Sequence, residues 1–226
     1  MIEFDNFCIL HMPRCGGSFI EQSIEGAVRR APGHEGWAYF APFEKDVYGL
    51  IREPKSWYLS LHAYSMENNL IWKRAFGVSE EDDIDTAMRK WITGSHARDS
   101  VIEVPQMGPQ NIFRQMQNLG IGFWSWWVLH MYGIKGGLSR TEELAEGMTL
   151  LWLHERERDL AMLEGKYGCK IRNPDSDPDI ARVIIYSRNA SERLDKNDVF
   201  DADLVTLLHQ RDALVHATAI LQPLPS

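Results

Sequence analysis

Apolar residues along this chain fall into short unbroken runs and longer segments at helical spacing, and the two kinds alternate. The first run, Phe7 to Met12, reads as a buried strand, since a strand covered on both faces is apolar nearly throughout. Ile20, Ile24, Ala27 and Val28 follow at i, i+4, i+7 and i+8, which predicts an amphipathic helix ended by Ala31-Pro32-Gly33. Trp37 to Phe40 reads as a short extended piece and Val47 to Arg52 as a second full strand. Pro54 then opens a helix with Trp57, Leu61 and Tyr64 on one face, because proline suits a first turn whose amides have no partner. Between about residues 68 and 147 the chain reads as irregular, with helices at Ile84 to Ile92 and around Gly122 to Tyr132. Met148 to Leu153 predicts a further strand and Glu157 to Tyr167 a helix. The last helix starts near Asp201 and carries Leu204, Leu207, Leu208, Leu214 and Val215 as core. Strands and helices in alternation give an α/β fold class, a parallel sheet flanked by helices.

The chemistry concentrates where the first strand meets the first helix. Pro13-Arg14-Cys15-Gly16-Gly17-Ser18 is a glycine loop opening a helix, and the unpaired amides of a first helical turn favour a phosphate. Gly16 and Gly17 permit close approach, Ser18 offers a hydroxyl and Arg14 a permanent cation. A nucleoside-triphosphate loop reads G-x-x-x-x-G-K-[S/T]; here His11 stands at its first glycine and Gly17 at its lysine, which disfavours ATP or GTP hydrolysis. The cation two residues before the first glycine resembles instead the 5′-phosphosulfate loop of sulfotransferases. A second motif, Val47 to Lys55 with Arg52-Glu53-Pro54 and Ser60 eight residues after the arginine, resembles that family's 3′-phosphate element. An arginine fork and a hydroxyl almost two turns into the helix can take one phosphate between them.

Composition narrows the setting. With 226 residues and 44% hydrophobic content, the chain is long enough for one substantial core, and residues 1–226 are expected to form a single domain with a variable, mostly helical insertion at about 68–147. No run approaches the ~20 apolar residues of a membrane span, and the start lacks signal-peptide character, so a soluble, cytoplasmic protein is expected. Cys8, Cys15 and Cys169 form no C-x-x-C pair, and Arg158 stands where His154-Glu155 would need a second histidine for zinc. A formal charge of −8 argues against a nucleic-acid surface and makes a strongly anionic glycan acceptor a poor fit.

On these motifs the chain resembles the sulfotransferases that use 3′-phosphoadenosine 5′-phosphosulfate (PAPS), strongly over Cys8 to Tyr64 and loosely over Met148 to Leu221. The closer branch is the carbohydrate type, with its P-R-x-G-G-[S/T] loop. The resemblance implies a P-loop-like fold and an enzyme that moves a sulfuryl group from PAPS to a hydroxyl or amine of a small-molecule or glycan acceptor, releasing adenosine 3′,5′-bisphosphate without a metal. It implies nucleotide contacts from Arg14, Cys15, Gly16, Gly17, Ser18, Phe19, Arg52, Ser60 and Arg188, the last in Tyr186 to Ser191, similar to the family's N-x-S segment. Glu155 takes the acidic position after the late strand. Cys15 and Phe19 depart from the family pattern; stacking on adenine and a place in the core are both open for Phe19. For the chemistry, Arg14 suits charge stabilisation, and His34 or neighbouring Glu35 suits the base, with His62 behind them. Phe123-Trp124-Ser125-Trp126-Trp127 reads either as core or as a stacking wall, near the site in both cases. The alternatives are a kinase with an atypical loop and a sulfotransferase-like binding protein without chemistry.

Overall fold

The computed structural model describes residues 1–30, 34, 36–37, 43–68, 71–95, 102–104, 108–110, 112–133, 148–172 and 199–219. Its main sheet contains β1 (Ile2–Glu3), β2 (Phe7–His11), β3 (Arg29–Arg30), β4 (Asp46–Ile51) and β7 (Met148–Trp152), in the order β3-β1-β2-β4-β7. The three longer strands are parallel, with Cys8 opposite Val47 and Tyr48 opposite Thr149. β1 runs antiparallel to both β2 and β3, so the expected parallel sheet gains an antiparallel edge. A separate hairpin joins β5 (Ile102–Val104) to β6 (Gly108–Gln110). The helices are α1 (Gly17–Ser23), α2 (Pro54–Asn68), α3 (Ile71–Ala75), α4 (Ile84–Thr93), α5 (Ile112–Leu119), α6 (Phe123–Tyr132), α7 (Arg156–Tyr167) and α8 (Ala202–Ala219). None of them is long and apolar enough to cross a membrane among the described residues.

The first helix is shorter than its apolar spacing predicts. α1 stops at Ser23, and Ile24 is already extended, bridged antiparallel to Ile171. Backbone bonds from Arg172 N to the Ser23 carbonyl (2.8 Å) and from Glu25 N to the Lys170 carbonyl (3.1 Å) take the groups that another helical turn would use. Gly26, at φ 90°, then turns the chain toward β3, and Val28 ends 58% exposed instead of facing the sheet. The helix terminus expected at Ala31-Pro32-Gly33 and most of the Trp37 to Phe40 piece lie outside the described residues. The other expected elements stand within one or two residues of their observed limits.

Two buried side chains lock the layers beneath the strand ends. Gly49 of β4 leaves room for the Tyr132 ring, whose edge a side chain there would meet at 3.0 Å. The Tyr132 hydroxyl accepts from Met12 N (3.3 Å) and donates to the Leu50 carbonyl (2.5 Å), clamping the ends of β2 and β4 together. Asp212 of α8, fully buried, accepts from the Tyr58 hydroxyl of α2 (3.1 Å) and from Ser125 N in the first turn of α6 (3.0 Å). The same tyrosine oxygen accepts from Trp124 N at 3.1 Å. A carboxylate contributed by a distant helix thus caps α6 where an N-cap side chain would stand, at Gly122. Gly122 is required, since a Cβ there would meet Asp212 at 2.5 Å.

Candidate functional site

β2, β4 and β7 end side by side, with His11 opposite Leu50 and Ile51 opposite Trp152, so the segments following them share one edge of the sheet. In open α/β sheets ligands bind outside these carboxyl ends. After β2 the loop turns through Arg14 at φ 64° and Gly16 at φ 83° before α1 begins. A left-handed arginine costs on the order of 1–2 kcal/mol, which the surroundings must impose. They do so from both sides: Trp57 Nε1 donates to the Pro13 carbonyl (2.7 Å), and Arg52 Nη1 to the Arg14 carbonyl (3.4 Å).

Among the described residues, the amides of Gly16, Gly17, Ser18 and Phe19 have no hydrogen-bond acceptor. Cys15 N instead bonds the Met12 carbonyl (3.4 Å), and its thiol is buried and pushed far above the ordinary cysteine value by desolvation. The Cys15 side chain is thus packed beneath the loop, and its amide holds the turn. Gly17 is there because the His11 ring lies beneath it, 2.5 Å from where a Cβ would sit. Burial lowers the His11 pKa to about 3, so that ring is a neutral packing element at working pH.

The two sequence motifs meet on one face of α2. Ser56, Ser60 and Tyr64 stand at i, i+4 and i+8 there. Arg52 Nε donates to Ser56 Oγ (2.8 Å), and Arg14 Nε donates to Ser60 Oγ (3.3 Å) with its guanidinium 4.1 Å from the centre of the Tyr64 ring. Arg52 thus meets Ser56, while Ser60, expected to share a phosphate with Arg52, bonds Arg14. Tyr64 accordingly lies under Arg14 while Trp57 and Leu61 point into the core. Burial, then the charge of Arg14, lowers the Arg52 pKa from its ordinary value. The Glu53 carboxylate beside it bonds Lys55 N (3.2 Å) and Ser56 N (3.0 Å), capping α2. An acidic chain thus carries a local concentration of positive charge where its sheet ends.

His34 lies against the same junction. Its Nδ1 is 3.0 Å from the His11 carbonyl, and a carbonyl only accepts, so Nδ1 carries the proton and the lone pair of the neutral ring is on Nε2. The ring packs edge-on to His11 and Trp127 at 5.1 and 5.9 Å. Glu35 and Arg188 lie outside the described residues. His62, the remaining candidate base, accepts from Trp91 Nε1 (3.3 Å), and burial lowers its pKa to about 4. It is held in the helical layer by Trp91.

Phe19 is buried in the core, and the Arg156 guanidinium lies over its ring at 5.7 Å. An adenine stacked there would take the guanidinium's place. Ser18 is exposed at the mouth of the loop. The aromatic run of α6 is buried throughout, yet it reaches the site through the backbone, because Trp124 Nε1 donates to the Arg52 carbonyl at 3.0 Å. Ser56, Tyr64 and Tyr132 escaped the motif reading. The i, i+4 repeat of Ser56 and Ser60 was the available signal for the first, and Tyr132 had none. Among the described residues, no group of three or more histidine, cysteine or carboxylate side chains is placed to hold a metal.

Comparison of the chain with family models, with curated proteins and with solved structures returns no match in any of the three.

Proposed function

We propose that this chain is a P-loop-like sulfotransferase that binds PAPS at the carboxyl edge of its sheet and transfers the sulfuryl group to a hydroxyl or amine. The observation that carries the reading is the meeting of the two motifs. Arg14 of the loop bonds Ser60, 46 residues on, and Arg52 bonds the Arg14 carbonyl, so the loop and the Arg52 to Ser60 element meet as one cluster of cations and hydroxyls. A nucleotide with phosphate on both 5′ and 3′ oxygens suits that arrangement. The unpaired loop amides and Arg14 suit the 5′ side, and Arg52 with Ser56 and Ser60 suits the 3′ side.

Bound there, the nucleotide supplies an activated sulfuryl group on its 5′-phosphate. Arg14 would stabilise the negative charge left on the phosphate oxygen as the sulfur–oxygen bond breaks, a task its high pKa fits and one that excludes it as a base. His34 Nε2, the unprotonated nitrogen, would take the proton of the acceptor as the new bond forms from sulfur to the acceptor's oxygen or nitrogen. The acceptor is a carbohydrate or another small molecule.

Calorimetric titration tests the nucleotide. Adenosine 3′,5′-bisphosphate is expected to bind without metal and ATP is not; Arg52→Ala should weaken the bisphosphate far more than 5′-AMP, because the lost bonds are charge-assisted. ATP binding as tight as the bisphosphate, or an equal loss of both ligands in Arg52→Ala, overturns the assignment. Transfer of labelled sulfate from PAPS across sugars, phenols, steroids and peptides then identifies the acceptor.

A further inference from the structure

The geometry points to Arg156 as a third arginine of this anion site, contacting the phosphate group held by the loop after β2. The inference rests on the nucleotide reading above for the ligand's name and on the loop alone for its charge. Each of the three parallel strands is followed within a few residues by an arginine: Arg14 after β2, Arg52 after β4 and Arg156 after β7. The turn after β7 touches the loop directly. A Leu153 methyl lies where a Gly16 side chain would be, 2.6 Å from its Cβ position, and Arg156 lies over Phe19 in the first turn of α1. Through these two contacts the turn that carries Arg156 borders the start of α1, the part of the molecule that the reading above assigns to the 5′ phosphate.

The neighbouring charges leave Arg156 available. Of the acidic residues around it, Glu155 and Asp159 both pair with Arg158, the second at 2.8 Å, and adjacent Glu157 is exposed and makes no ion pair with Arg156 among the described residues. Asp159 also accepts from Trp152 N (2.7 Å), which fixes the turn from β7 into α7. Among the described residues Arg156 has no carboxylate partner. The Phe19 ring holds the cation by its face, and a guanidinium held this way keeps its in-plane N–H donors for an oxyanion. A half-buried arginine beside that loop, with no carboxylate partner among the described residues, fits the phosphate assigned to the loop, the 5′ one.

Calorimetry with inorganic pyrophosphate, 5′-AMP, 3′-AMP and adenosine 3′,5′-bisphosphate separates the possibilities. Arg156→Ala is expected to weaken pyrophosphate, 5′-AMP and the bisphosphate by roughly tenfold or more, with 3′-AMP unchanged and Arg156→Lys intermediate. Arg89→Ala, which removes the same charge from α4, should leave all four as in the wild type. Wild-type affinity for pyrophosphate and 5′-AMP in Arg156→Ala overturns the inference, and so does an equal loss of 3′-AMP. A wild-type chain that binds pyrophosphate and no adenosine phosphate overturns the nucleotide reading alone, and the Arg156→Ala ratio for pyrophosphate then decides the arginine. Binding of none of the four overturns both.

Discussion

Arg14 carries its charge on a strained backbone. At φ 64° glycine would be the relaxed choice, yet glycine would remove the cation, so the strain persists because Trp57 and Arg52 hold the two carbonyls flanking the turn. His34 shows a second single-residue effect, since one backbone carbonyl sets which nitrogen can accept a proton. His34→Ala should therefore lower turnover by roughly 10²-fold or more while bisphosphate affinity stays near wild type, as read by steady-state kinetics beside calorimetry. Near-normal turnover in His34→Ala with an inactive Glu35→Gln moves the base to Glu35. Arg14, Arg52 and Ser60 were legible in the sequence because proline and glycine punctuation pins each to an element boundary. The partner of each was not, because a spacing of eight residues cannot say which of two serines on one helical face meets which arginine.

Among the elements, β2, β4 and α2 follow their patterns because local preference and tertiary packing agree there. α1 does not: Ile24 had both helical spacing and strand propensity, and pairing with Ile171, far along the chain, decided between them. The two-residue strands β1 and β3 are too short to leave any periodic signal. α6 is core by burial, the first of its two expected roles, and Trp124 ties it to the backbone at Arg52. Trp124→Phe leaves that carbonyl without its donor and should cost about 1–2 kcal/mol of stability. The change in tryptophan fluorescence on adding the bisphosphate should shrink in Trp124→Phe and survive in Trp126→Phe, whose indole instead bonds Gln115. An unchanged signal in both would make α6 core without a link to the ligand.

For the molecule as a whole, buried titratable groups set an acid limit with two opposing parts. Burial lowers His11 to about 3 and His62 and His130 to about 4, below the ~6.5 of an unfolded chain. The unfolded state thus binds protons that the folded state refuses, and stability is lost as pH falls through 6.5 toward 4. Asp212 acts in the opposite sense. Desolvation raises it to about 6, above the ~3.9 of an unfolded aspartate, so the folded state holds the extra proton between these values and stability falls as pH rises through them. By linkage that contribution is about 3 kcal/mol, and removing it changes the curve's shape. Denaturant titrations from pH 4 to pH 7 should show Asp212→Asn losing more stability relative to wild type at pH 4 than at pH 7; parallel curves would count against the buried carboxylate.

The same aspartate also sets an order in time. The carboxylate that caps α6, and through Trp124 supports the segment around Arg52, leaves the ribosome roughly 200 residues after Arg14, some 10–40 s at ordinary translation speeds. Until α8 arrives the first turn of α6 has neither its cap nor its closing partner. The segments that meet around Arg14 and Arg52 are therefore made well before the carboxylate that completes the support beneath them, and that support closes from α8 backwards.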